Sequence, residues 1–267
     1  MNLVDLMLTA EEIAGFAKEL VAAEREVEPL EPLTERVDIT IEDAYRIQLE
    51  VIRIKKADGE IEVGKKIGLT SKRMQKAFGV DQPDYGHIMD RMMVDEGTPI
   101  LLSELIQPKI EAEVGFLLDD DITGPGITAL DVLDCTAGVM PTFEVIDSRI
   151  KDWRIKIQDS ISDNASIGRV VAGGMLTDIL GLDLRTIGVV VRKNGEIVET
   201  AAGAEVLGNP AQSVAWLANK LSDYGISLNA GDLIISGSVI SPIAVGEGDV
   251  IHAEFGGGMG GVVAYFK

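Results

Sequence analysis

The chain of 267 residues reads as an α+β protein, with a mixed, largely antiparallel β core, peripheral helices and an N-terminal helical cap. Three observations predict it. Helical periodicity and capping signals crowd into the first 60 residues. From residue 61 onward short strand-like runs dominate, without the regular strand and helix alternation of a doubly wound parallel sheet. No flexible linker interrupts that second stretch, so the expected division is a helical cap over 1–60 and one β-rich unit over 61–267.

Taken in order, Thr9 and Glu12 form a capping box ahead of a helix whose Ile13, Phe16, Ala17, Leu20 and Val21 share one face. A loop rich in Pro and Glu covers 26–35. Thr40 and Asp43 resemble a second capping box, and Ala44, Tyr45 and Ile52 help form the face of a helix that ends near Gly59. Strands are expected at 63–69, 110–118, 140–146, 187–192, 195–200, 233–236, 250–255 and 262–266, with Asn194-Gly195 as a type I′ hairpin signal. Three helices interrupt them, at 71–78, 128–137 and 210–224; the last has Asn209 as cap, Pro210 at its first position and Gly225 at its stop.

Composition narrows the function. The formal charge of −20 and the absence of an obvious basic face disfavour nucleic acid and anionic membranes. No apolar run approaches the roughly 20 residues a membrane span needs, and the N-terminus lacks the regions of a signal peptide. A single cysteine, Cys135, read as a core residue, excludes an internal disulfide framework. These features describe a soluble, unprocessed, cytoplasmic protein. The charge is also unevenly spread: from 110 to 148 there are nine acidic residues and no Lys or Arg.

Within that block, 110–118 alternates as a strand should. Ile110, Ala112, Val114 and Phe116 pack on one face, while Glu111 and Glu113 share the other, about 7 Å apart along the strand. Taken alone, the pair is better explained as a half-solvated antiparallel strand, since charged residues mostly sit on wet faces. Glu144 shifts the balance, because it stands in the apolar run 139–146, where a carboxylate costs several kcal/mol unless paired or bound to a cation. Its nearest basic neighbour in sequence is Arg149, which makes a buried ion pair the competing account. Three carboxylates without thiol or histidine select a hard cation, Mg²⁺ or Mn²⁺. Asp119, Asp120 and Asp121 precede Gly124-Pro125-Gly126 and read as a solvated turn.

Lys65 and Lys66 fall on opposite faces of a strand, so one can be exposed while the other reaches inward to hold an anion or move a proton. Asp84 lies in the stretch 80–86, read as a Pro/Gly loop. Gly256, Gly258 and Gly261 satisfy GxGxxG, but a strand follows where a helix is required, so dinucleotide binding is rejected.

Together these pieces form a pattern. Gly64-Lys65-Lys66-Ile67-Gly68-Leu69-Thr70, Gln82-Pro83-Asp84-Tyr85-Gly86, Pro108-Lys109-Ile110-Glu111-Ala112-Glu113, Glu144-Val145-Ile146-Asp147-Ser148-Arg149 and Ser162-Asp163-Asn164-Ala165-Ser166 resemble the 2-keto-4-pentenoate (2-hydroxypenta-2,4-dienoate) hydratases. The resemblance covers nearly the whole chain and implies the fumarylacetoacetate hydrolase fold. It also implies Glu111, Glu113 and Glu144 as ligands of Mg²⁺ or Mn²⁺, Lys66 and Asp84 as acid and base groups, and Ser166 and Ser238 as substrate contacts. A homo-oligomer is implied too, acting in aromatic meta-cleavage catabolism and open to association with neighbouring pathway enzymes. The same family holds 4-oxalocrotonate decarboxylases and hydratases of 2-oxo-hept-4-ene-1,7-dioate. Asp84 and the short stretch 149–159 resemble the five-carbon hydratases, whereas 41–45 and 214–220 are at least as close to the seven-carbon group. Two other classes stay open: a non-catalytic partner subunit, and a hydrolase of acylpyruvates using His87 as base.

Overall fold

The structure, a computed structural model, describes residues 7–267. The expectation of no signal peptide rests in part on residues 1–6, which lie outside the described residues. Two helices open the chain, α1 (Ala10–Glu26) and α2 (Ile41–Ala57), and both predicted capping boxes form: the Glu12 N–H donates to Thr9 Oγ1 and the Asp43 N–H to Thr40 Oγ1. They pack on each other, and α2 also packs on α5 (Ile157–Ser162). Among the described residues no helix is long and apolar enough to cross a membrane.

The strands follow. They are β1 (Glu62–Gly68), β2 (Asp84–Met89), β3 (Met93–Val94), β4 (Pro99–Ile100), β5 (Lys109–Leu118), β6 (Thr136–Ile146) and β7 (Ile167–Ala172), then β8 (Gly188–Lys193), β9 (Glu196–Ala202), β10 (Leu233–Ser238), β11 (Ile243–Ala244), β12 (Val250–Phe255) and β13 (Gly260–Phe266). One sheet has the order β2-β1-β10-β5-β6-β7-β3, with β11 beside β5; the other runs β4-β13-β12-β8-β9. Among the described strands the pairs β1–β10, β3–β7 and β4–β13 are parallel and the remainder antiparallel, so the expected mixed, largely antiparallel α+β core holds. The Asn194-Gly195 turn joins β8 to β9 with both residues at positive φ, 53° and 87°. Helices α3 (Lys72–Phe78), α4 (Ala129–Asp134) and α6 (Pro210–Ser222) lie around the sheets, with α6 against β10 and β1.

Three local expectations change. The helix expected over 128–137 stops at Asp134, because Thr136 already pairs with Leu118 and begins β6. Ladder formation with β5 overrides local helical preference there. The stretch read as a loop ends at Pro83, and Asp84 opens β2. Neither α5 nor β7 was foreseen.

The core is continuous from α1 and α2 into both sheets, through Phe16, Ile47, Phe116, Phe143 and Phe255. Ile110, Ala112, Val114 and Phe116 are all fully buried, as the alternation of β5 requires, and burying each larger side chain contributes roughly 1.5–3 kcal/mol.

Candidate metal centre

The antiparallel register of β5 and β6 places Glu111 directly opposite Glu144, with Glu113 one pleat along, opposite Thr142. One carboxylate oxygen from each of the three glutamates lies within 4.8 Å of the others. Like charges opposite one another destabilise a sheet. Here Glu113 and Glu144 are also buried, and Glu111 is partly so.

Hydrogen bonding does not satisfy this cluster. Glu113 Oε2 accepts the Gly237 N–H at 2.7 Å, whereas neither Oε atom of Glu144 has a hydrogen-bond partner. Lys66 Nζ reaches Glu144 Oε1 at 3.1 Å as an ion pair, outside hydrogen-bond alignment. Burial, reinforced by Glu144, pushes the Glu111 carboxyl up to about 8, and burial with both neighbours holds Glu113 well above the ordinary carboxylate range. Burial also raises Glu144 against the pull of Lys66. For Lys66 burial works against the charge, but Glu144, Asp84 and the other two glutamates outweigh it and keep the ammonium protonated. Three oxygen acids, two of them buried and one partly so, facing one ammonium leave unsatisfied negative charge and free lone pairs. That donor set fits a hard divalent cation.

Lys66 and Asp84 come from the antiparallel pair of β1 and β2, which α3 joins, and Gly68 sits opposite Asp84. A Cβ at Gly68 would lie 2.2 Å from Asp84 Oδ1, so only glycine leaves the carboxylate its place. Asp84 is buried, its Oδ1 has no hydrogen-bond partner, and burial raises its pKa despite Lys66. The competing ion pair for Glu144 is overturned: Arg149 bonds Asp163, with Nε to Oδ1 at 2.5 Å. The cation beside Glu144 comes from β1, far away in sequence. Lys65 also departs from expectation, since both lysines are buried; Lys65 pairs with Glu62 on the opposite face of β1, where His87 Nδ1 lies 2.8 Å from Glu62 Oε1. His87 therefore has no place on the cavity, which removes the basis for a histidine-based hydrolase.

A cavity of about 320 Å³ opens onto the cluster, lined by Lys66, Asp84, Glu111, Glu113, Ser166 and Ser238. Ser238 pairs with Glu113 across β10 and β5, and its Oγ donates to the Ile240 carbonyl at 2.8 Å. Ser166 is buried immediately before β7. The sequence-predicted site residues thus meet here, with Glu144 adjoining the cavity as the cross-strand partner of Glu111. Sequence reasoning missed the contributions of Gly68 and Gly237. Gly237 has φ 106°, and a Cβ there would meet Thr70 Oγ1 at 2.2 Å. A glycine inside a strand pattern is the available signal for such close approaches. Trp153 was missed as well; it lines the cavity with Lys109 Nζ 4.3 Å above its ring. The turn at 119–121 is exposed, and Cys135 is half-buried at the end of α4, packed against the core.

Comparison with known proteins agrees with this geometry. Residues 70–264 match the family described as fumarylacetoacetate (FAA) hydrolase C-terminal. The chain is 49% identical over 217 residues to the 2-hydroxypent-2,4-dienoate hydratase of Pseudomonas putida, covering 80% of this chain and 98% of that protein. Identity to the 2-hydroxyhexa-2,4-dienoate hydratase of Comamonas testosteroni is 45% over 233 residues, covering 86% and 88%. The 4-oxalocrotonate decarboxylase from Pseudomonas putida G7, complexed with magnesium and adipate, superposes with a TM-score of 0.95 at 40% identity, covering 98% of this chain and 99% of that one. The chain belongs to the fumarylacetoacetate hydrolase family, on the branch whose relatives are 2-hydroxydienoate hydratases and a 4-oxalocrotonate decarboxylase.

Proposed function

We propose that the protein is a divalent-metal-dependent hydro-lyase that adds water to 2-hydroxypenta-2,4-dienoate, giving 4-hydroxy-2-oxopentanoate. The observation that carries this reading is the convergence of Lys66, Asp84, Glu111 and Glu113 on one small cavity, with a Glu144 oxygen within 4.8 Å of the other two glutamates. Glu111, Glu113 and Glu144 would hold Mg²⁺ or Mn²⁺. When bound, such a cation supplies a Lewis acid that draws charge from the carboxylate and 2-oxygen of a 2-oxo acid.

The chain's own groups then move protons. Loss of the C2 hydroxyl proton with protonation at C5 converts the dienol to a 2-oxo-3-enoate. Water adds across C3 and C4, its hydroxyl going to C4 and a proton to C3. Lys66, kept charged by its carboxylate neighbours, holds negative charge developing on the substrate. Asp84, buried with a free oxygen and a raised pKa, is the group that takes up and returns a proton. Ser166 and Ser238 offer hydroxyls to the substrate, and Met74, Phe78, Ile155 and Ile240 give its tail an apolar wall.

The test is loss of the dienol absorbance with formation of 4-hydroxy-2-oxopentanoate when Mg²⁺ is supplied; carbon dioxide release from 4-oxalocrotonate would move the protein to the decarboxylases. One observation favours a second reading, hydration of the seven-carbon diacid: Arg73 and Lys109 line the same cavity and could meet a second carboxylate. Comparing kcat/KM for five-, six- and seven-carbon substrates separates the two. The reading assigns residues 1–60 to a helical cap and 61–267 to the catalytic unit. It takes the working form as a homo-oligomer in the cytoplasm, in contact with neighbouring pathway enzymes, which light scattering and co-purification can check.

A further inference from the structure

Behind the cavity wall the backbone adopts a conformation that side chains resist. Asn164, Ala165 and Ser166 have φ of 51°, 51° and 58°, three consecutive non-glycine residues in the left-handed region. Each such residue costs about 1–3 kcal/mol and persists only where its surroundings hold it. Ala165 and Ser166 line the cavity.

What holds the turn is Arg149, 3% exposed, whose bonds all go to protein. Its Nε donates to Asp163 Oδ1 at 2.5 Å, its Nη2 to the Asp163 carbonyl at 2.6 Å, and its Nη1 to the carbonyls of Asp147 and Ile167 at 2.5 and 2.8 Å. The Arg149 N–H donates to Asp163 Oδ2 at 3.0 Å, and the Ser166 N–H returns to the Asp163 carbonyl at 2.9 Å. One planar guanidinium therefore ties the end of β6, the residue before the turn and the first residue of β7. Asn164 anchors the far side, exchanging two 2.8 Å bonds with the His87 backbone on β2.

We propose that Arg149 is a positioning residue: it holds the left-handed turn of Asn164–Ser166 and thereby the Ser166 wall of the cavity, so that binding of the 2-oxo acid depends on it. This rests on the proposed hydration only in naming the substrate. Lysine keeps the charge but loses the planar fork, so Arg149→Lys removes the geometry selectively.

In the Mg²⁺-loaded enzyme, Arg149→Lys raises the dienol KM about tenfold and changes kcat less than about threefold, the split expected when an interaction shared by ground and transition states is lost. Calorimetric affinity for Mg²⁺ alone stays within about twofold of wild type, and amides of 160–168 exchange hydrogen faster while those of β5 and β6 do not. Ser166→Ala costs about tenfold in KM in the wild-type background but less than about twofold beside Arg149→Lys, because the hydroxyl is already displaced. Should Arg149→Lys fail to fold, the double variant with Ala165→Gly, which relieves the left-handed strain, carries the same measurements. Unchanged KM and exchange overturn the proposal. So does a parallel loss of Mg²⁺ affinity, KM and melting temperature, which would make Arg149 a general support. If the wild type hydrates no dienol, the functional reading fails alone: pyruvate binding in the presence of Mg²⁺, weakened about tenfold in Arg149→Lys or unchanged, still decides the role of Arg149.

Discussion

Two of the buried charge groups in this protein are built differently. Around Arg149, the guanidinium bonds the Asp163 carboxylate and three backbone carbonyls, while the Asp147 carboxylate is taken up by the N–H groups of Ile106 and Gln107. At the glutamate cluster three carboxylates face one ammonium, and both oxygens of Glu144 lack a hydrogen bond. Taking an ion out of water costs several kcal/mol, and only partners return it. The first group closes on itself and serves construction. The second is left open toward a cavity, and what completes it must come from outside the chain.

The comparison breaks most visibly at Glu144. Glu144→Gln keeps the volume but removes the charge, and on the order of 10³-fold in kcat/KM should disappear together with Mg²⁺ affinity. Full activity in that variant would remove the metal centre. Next comes Arg149→Met, which strands Asp163 and should lower the unfolding free energy by about 3–5 kcal/mol, read from the urea midpoint. Removing charge from the open cluster has the opposite sign. Above pH 8, where Glu111 is ionised, Glu111→Gln relieves repulsion, so the metal-free protein should melt about 2–4 °C higher there while losing its stabilisation by Mg²⁺.

The smallest effect is in pH. With Glu111 raised to about 8 from an ordinary value of 4.5, the folded metal-free protein holds more protons than the unfolded chain between those limits, so its stability falls as pH rises through that window. A bound cation requires the ionised carboxylates, so the melting-temperature gap between Mg²⁺-loaded and metal-free protein should widen from pH 5 to pH 8. Scanning calorimetry with and without Mg²⁺ reads it; a constant gap would mean that the cluster does not titrate.

Much of the candidate metal centre was legible because a strand's alternation is a local rule. Glu111 and Glu113 could be assigned to one face from spacing alone, and Glu144 stood out as an acid in an apolar run. The partner of Glu144 was not legible. Sequence proximity pointed to Arg149, but a sheet chooses neighbours by register, and Lys66 arrives from a strand separated from β6 by two others. The stretch 80–86 concealed β2 because Pro83 and Gly86 are turn formers. Only pairing with β1 makes Asp84 the first residue of a strand. The turn at Asn164–Ser166 carries no glycine to announce its left-handed backbone, since the force that holds it is a guanidinium fifteen residues upstream.

The alternation of β5 also guards the assembly of the sheet. Sliding β5 by one residue against its neighbours would turn Glu111 and Glu113 into the space now filled by Ile110, Ala112, Val114 and Phe116, leaving two carboxylates in dry surroundings at several kcal/mol each. An all-apolar strand would tolerate that slip. The acids that suit the cavity for chemistry therefore also proofread the fold, and a variant made neutral at both positions should lose fidelity of strand pairing as well as its cation.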